Sequence, residues 1–483
     1  MRRHITAAVT TLAAATLASL SLSAPTATAA AAKHADDFNG DGYRDLVVAA
    51  PSATVSGREE AGSVVVLYGS ASGPSAAKKK LLTQATTGVP GSPETADRFG
   101  GSVSSADLDL DGYADLVVGA PGEDVDGTSN LGTVTVIWGS ASGLTGGANL
   151  PATHGSDGVG CAYGTDLATV AKTPYPNAEV RVAGGCSVWT FRAPVTRAGK
   201  PFSKSQRVMG PSAAKLVTGD LNGDQRADEV EISVPLGDFP SGGVYVNRSG
   251  GSYEPPLSHD GDNAAIGDVN GDGYGDLVVG DSADTTIEGH PQEGTGHEGG
   301  QVAVWLGSAS GVDADTAPLL VHQSTPGVPG SSEHGDLFGA DVSVADVDGD
   351  GYADIAVGAP GESLGSAKRA GSVVVVPGGP SGPTGAGSYS ITQDSAGVPG
   401  TAEREDAFGT TVRLADLTKD GKPELVVGTP GERAPGATRN TGGVWTFKGS
   451  ASGPALSGST SLMAGSVGLP TSSDTYWANV LAP

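Results

Sequence analysis

Aromatic residues make up only 5% of this 483-residue chain and charged residues only 17%. So little charge disfavours a helical bundle, whose outer faces would have to be polar along every helix. Basic residues are outnumbered by acidic ones, 28 to 54, and the net charge is −26. Such a chain repels the phosphates of nucleic acids and anionic lipid surfaces, so no nucleic-acid partner is expected. After the first 22 residues no apolar run is long enough to span a bilayer. There are two cysteines, Cys161 and Cys186, and neither stands where a lipid anchor through an N-terminal cysteine would require it.

The start of the chain reads Arg2, Arg3, an apolar stretch over 5–22, and then Ala27, Thr28 and Ala29. That is the order of a signal peptide, and it predicts a leader over 1–29 and a secreted chain over 30–483. Leu469, Pro470 and Thr471 resemble the start of a cell-wall sorting motif, but Ser473 occupies its glycine position.

Glycine is what the chain has in excess, 76 residues in all, and it marks a repeat. The unit is an Asp-rich loop, a short β-branched run, a Gly-Ala-Pro-like turn, a second such run and often Gly-Ser-Ala-Ser-Gly, as at 69–73. Asp-rich loops begin at Asp37, Asp107, Asp220, Asp268 and Asp346, with a degenerate copy at Asp416. A further copy fits between the second and third: Tyr163-Gly164 stands where Phe99-Gly100 does, but Ala171 replaces the first loop Asp. Runs of 3–5 apolar residues bounded by Gly, Pro or Asp are short buried strands. Seven units of four such strands predict an all-β, seven-bladed β-propeller over 30–483. The first unit lacks the strand that precedes each loop. Residues 468–480, with Tyr476 and Trp477, parallel 327–342, so the C-terminus is expected to close the first blade.

In each of the five loops, side-chain oxygens fall at positions 1, 3, 5 and 9, and a backbone carbonyl is available at position 7. The first loop offers Asp37, Asn39, Asp41, Tyr43 and Asp45; the second, Asp107, Asp109, Asp111, Tyr113 and Asp115. The third offers Asp220, Asn222, Asp224, Arg226 and Asp228; the fourth, Asp268, Asn270, Asp272, Tyr274 and Asp276. The fifth offers Asp346, Asp348, Asp350, Tyr352 and Asp354. Alternate oxygens on a tight turn suit Ca²⁺, which takes six to eight of them. About five Ca²⁺ sites are therefore expected. Gln225 replaces glycine at position 6 of the third loop, which predicts a weaker or distorted site. An EF-hand is rejected because position 12 of the first loop is Val48 rather than Glu. Zinc is disfavoured because the loops hold no Cys or His.

These loops, with Phe-Gly segments and turns such as Gly119-Ala120-Pro121 and Gly358-Ala359-Pro360, resemble the FG-GAP repeats of the integrin α-subunit head. The resemblance covers the whole chain after the leader. It implies a seven-bladed propeller with Ca²⁺ in the hairpin loops of several blades, as found in adhesion proteins, in lectins, beside phospholipase or other catalytic domains, and in exported bacterial proteins. A shared fold does not supply a function.

The repeats leave no room for a separate catalytic domain, and no residue stands out as catalytic. Gly69-Ser70-Ala71-Ser72-Gly73 has Ala71 where a nucleophile elbow needs serine. The expected function is an extracellular binding or adhesion module, monomeric, with an unidentified protein or glycan ligand. The competing reading is a propeller-based hydrolase or lyase acting on an extracellular polymer. Cys161 and Cys186 bracket the unit without an Asp loop, and in an exported chain a disulfide between them is expected. Recognition is expected on the face that carries the Gly-Ala-Pro loops and the links between blades, opposite the Asp loops.

Overall fold

The computed structural model describes residues 32, 34–151, 161–170, 178–184, 187–207, 213–235, 241–247, 256–284, 286–287, 290–291, 296–434 and 437–482. The predicted leader, Ala171 and Cys186 lie outside them. Seven four-stranded antiparallel sheets follow one another along the chain. Their innermost strands together line one axial cavity of about 660 Å³. The molecule is thus a seven-bladed β-propeller, as the repeats predict.

Why the middle strands read as unbroken apolar runs follows from their position. Each is covered on both faces by neighbouring blades, so no face needs to be polar. Leu46–Ala50 is buried throughout, and its residues alternate between two cores. Val47 and Ala49 pack toward Val103, Leu116 and Val118 of the second blade, while Leu46, Val48 and Ala50 pack toward Val426, Val444 and Trp477. The outermost strands, such as Lys79–Leu82, keep only one buried residue.

The Phe-Gly segments join each blade to the one before. The Phe99 N–H donates to the Ala61 carbonyl at 3.0 Å, and the Gly100 N–H to the Gly119 carbonyl of its own blade at 2.9 Å. Tyr163 and Gly164 repeat both bonds, to Leu131 and Ala183, so the third unit is a true copy. Gly100 has φ +90°, and a Cβ there would stand 2.9 Å from Val64. The same arrangement closes the ring. Trp477 N–H donates to the Thr441 carbonyl of the seventh blade and Ala478 N–H to the Ala49 carbonyl of the first. Val480–Leu481 then pairs with Leu46–Ala50, Leu481 opposite Val48. Ala478 accepts φ +72° in the glycine position.

One junction differs. Between the third and fourth blades the apolar cluster is small: Ala168, Ala183, Val188, Ala213 and Leu216. Ion pairs take its place. Arg181 reaches Glu229 at 2.6 Å, and Arg207 pairs with both Glu229 and Glu231.

Candidate metal centres

Each Asp loop leads into the second strand of its blade, and in every blade with a loop except the first it follows directly on the innermost strand. Their backbone is set by their own side chains. The carboxylate of Asp37 accepts N–H bonds from Asp41 at 3.1 Å and Gly42 at 2.8 Å, Asn39 Oδ1 accepts from Asp41, and Asp41 Oδ1 accepts from Tyr43. Asp107, Asp220 and Asp268 make the corresponding pair of bonds. Short polar side chains that bond the backbone two to five residues on are what bend a chain into such a turn.

Position 9 also anchors a neighbouring turn. Asp45, fully buried, accepts the Phe38 N–H at 2.9 Å with one oxygen and the Gly69 N–H at 2.8 Å with the other. It thereby ties the Asp loop to the Gly-Ser-Ala-Ser-Gly turn. Asp115 does the same with Leu108 and Gly139, Asp276 with Val269 and Gly307, and Asp354 with Val347 and Gly378. Burial pushes Asp45 and Asp115 up to about 7, and Asp276 and Asp354 up to about 6. A buried carboxylate near other carboxylates favours the neutral form until a cation arrives.

The oxygens of Asp107, Asp109 and Asp111 lie within 4.8 Å of one another, and so do those of Asp346, Asp348 and Asp354. These all-oxygen clusters fit a hard divalent ion by donor type and spacing. In the degenerate loop, Asp416 and Asp420 keep the backbone bonds, and Glu424 stands in for the ninth residue by accepting the Leu417 N–H. Thr418, however, supplies no carboxylate at position 3.

The backbone of the third loop matches that of the others. Gln225 adopts φ +64° and gives its N–H to Asp220 at 2.7 Å, as the glycines do in the other loops. Position 4 is left-handed as well, which spacing alone did not indicate: Leu110 and Lys419 have φ +64° and +61°. Because Gln225 is exposed, Gln225→Gly should relieve strain without losing packing and raise stability by about 0.5–1 kcal/mol. The midpoint of urea unfolding checks this.

Neighbouring loops interlock. The Ala114 N–H donates to the Asp37 carbonyl at 3.0 Å, and Tyr113 lies over Gly40. Two cations that the repeat pattern does not reveal reach across these contacts. Arg197, from the hairpin over 196–200 in the third blade, binds Asp109 at 2.6 Å and Asp111 at 2.7 Å, and its guanidinium lies over the Trp138 ring. Lys419 sits over the Tyr43 ring at 5.5 Å, beside Gly42. Burial still pushes Asp109 up to about 6 despite Arg197. Cys161 is not a free thiol, and its expected partner Cys186 lies outside the described residues.

The family model described as FG-GAP repeat matches residues 34–67, 99–137, 338–376 and 408–447. Among curated relatives, integrin alpha-5 of Xenopus laevis is 30% identical over 229 residues, covering 45% of this chain and 19% of the relative. Integrin alpha-IIb of Homo sapiens is 31% identical over 225 residues, covering 45% and 20%. Phosphatidylinositol-glycan-specific phospholipase D of Bos taurus is 37% identical over 107 residues, covering 22% and 13%. The chain therefore spans a fifth or less of the length of these relatives.

Proposed function

Since the chain is an integrin-like β-propeller built of FG-GAP repeats, we propose that it is a secreted, Ca²⁺-stabilised binding module and not an enzyme. Its ligand is an extracellular protein or glycan held by the loops on the face away from the Asp loops. The observation that carries this reading is the contrast between the two faces. One is locked by side-chain-to-backbone bonds and interlocked tyrosines; the other carries the long connections over 122–132 and 361–371. Variable segments on a rigid frame are suited to recognition. In this reading the leader over 1–29 exports the chain, and a Cys161–Cys186 disulfide braces the blade that has no Asp loop.

Ca²⁺ would be held by the loops beginning at Asp37, Asp107, Asp220, Asp268 and Asp346. It would supply the positive charge that lets their carboxylates ionise together. An ion bound only by the folded form raises its stability by mass action. Millimolar Ca²⁺ should therefore raise the melting temperature over chelator, and calorimetry should show uptake. Asp272→Ala should lose one ion, while Arg197→Gln should strengthen uptake at the Asp107 loop by removing the built-in counter-ion. No uptake and an unchanged melting temperature would leave the loops as turns.

The relatives named as phospholipase D give the enzyme reading its support. A glycan array, a panel of extracellular matrix proteins, and turnover assays on polysaccharides and phosphatidylinositol-glycan should be run on one sample. Capture without turnover is expected. Catalytic turnover would overturn the binding-module reading.

A further inference from the structure

We propose a second set of hard-cation sites, on the face opposite the Asp loops, at three junctions between blades. At the first of these, Gln84 leaves the outermost strand of blade one, and its Nε2 donates to Glu123 of blade two at 2.5 Å. Gln84 is only 5% exposed, yet its Oε1 has no hydrogen-bond partner among the described residues. That oxygen shares a carbon with Nε2, so it lies beside the Glu123 carboxylate. Asp97, 1% exposed, closes the group: its carbonyl accepts the N–H of Gly122, the residue before Glu123, at 3.1 Å. One of its carboxylate oxygens accepts the Glu94 N–H at 2.6 Å.

The same arrangement recurs between blades five and six. Gln323, 3% exposed, donates to Glu362 at 2.5 Å, and the Asp336 carbonyl accepts the Gly361 N–H at 2.9 Å. Between blades six and seven, Gln393, 1% exposed, donates to Glu432 at 2.7 Å, and the Asp406 carbonyl accepts the Gly431 N–H at 3.0 Å. The Oε1 atoms of Gln323 and Gln393 are also unpartnered among the described residues, as is Asp406 Oδ1. Each Gln and Glu pair is separated by 39 positions.

A buried acceptor left without a donor costs about 1–3 kcal/mol, so finding one at all three junctions points to a missing partner. The Glu carboxyl bonded to each Gln interacts electrostatically with the nearby Asp carboxyl, which gives the junction negative charge. A half-turn of the carboxamide would set Oε1 against the Glu carboxylate, and two acceptors share that position only with a proton or a metal cation between them. The donors are all oxygens, which selects Ca²⁺ or Mg²⁺ over zinc or copper. Other charged groups face these clusters: Glu94 and Asp124 at the first, Glu333 and Asp284 at the second, Glu403 and Arg433 at the third. Burial raises the Glu and Asp carboxyls in each, consistent with charge awaiting compensation.

The test is to count Ca²⁺ bound at saturation, by equilibrium dialysis with metal analysis, on the full chain and on the triple variant Glu123→Gln, Glu362→Gln and Glu432→Gln, with Mg²⁺ in a parallel series. Glutamine keeps the shape and an acceptor for the Gln84, Gln323 and Gln393 amides, and every Asp loop is untouched. The variant is expected to bind three fewer ions than the parent, one for each junction. If the Asp loops hold no ion, the parent still binds those and the variant binds none, so failure of the loop reading is told apart from failure of this one. Equal counts in parent and variant overturn the proposal, and are the result expected if the clusters hold protons instead. Should the triple variant not fold, each single variant is expected to lose one ion, and unchanged counts in all of them overturn it equally.

Discussion

In chelator, the protein is expected to lose stability as the pH rises from about 5 to about 8, reversing the usual behaviour of paired carboxylates. Burial pushes Asp45, Asp115, Glu123, Asp336 and Glu432 up to about 7, and Asp276, Asp354 and Asp406 up to about 6. Above the ordinary carboxyl range and below these values the folded chain binds more protons than the unfolded one. Its stability therefore falls as pH climbs through that window and is greatest on the acid side. With this many groups acting in the same direction, the melting temperature should drop by more than about 5 °C, since about 1 kcal/mol already moves a sizeable domain by a few degrees. Saturating Ca²⁺ should flatten the profile by taking over from the protons. Melting curves at stepped pH, with and without Ca²⁺, measure both effects, and a flat profile in chelator would contradict the account.

Removing residues 468–483 should abolish the soluble fold. The lost segment supplies Val480–Leu481, which covers the edge of Leu46–Ala50, and Trp477, fully buried between the seventh and first blades with its Nε1–H directed at the Val48 carbonyl. Trp477→Ala alone should cost about 3–5 kcal/mol by the usual scale for large core deletions. The truncated chain also exposes an apolar strand edge, the kind that templates aggregation. Insoluble or readily proteolysed protein is the expected outcome. A truncated chain that melts with the parent would show that the tail does not belong to the first blade.

The ring and its closure were legible because the determining signals repeat. A β-branched run between glycines is ambiguous once, but the Tyr163-Gly164 copy and the Trp477-Ala478 ending make sense only as members of a series. The loops were less fully legible. Alternation of acidic residues marks the loops, but it could not tell that Asp45 and its counterparts also hold the neighbouring hairpin, while Asp354 stays within reach of Asp346 and Asp348. Nor could it show that Gln225 keeps the glycine conformation. Arg197 and Lys419 were invisible for another reason: each acts on a loop of a different blade, and a motif read along the chain carries no information about what stands across a junction. The carboxamides Gln84, Gln323 and Gln393 fall just past a weak strand, where no pattern distinguishes them from ordinary exposed amides.

The clasp also bears on time. The bond from Trp477 to Val48 spans 429 positions, and while the entropy of closing so long a loop grows only with its logarithm, contacts of such separation form late and slowly. A chain emerging N-terminus first must hold its opening blade three-stranded until its last dozen residues arrive. Six blades can stack before the ring becomes a ring. Contacts absent from the folding transition state slow unfolding rather than speed folding, so weakening the short C-terminal strand is expected to speed unfolding more than it slows folding.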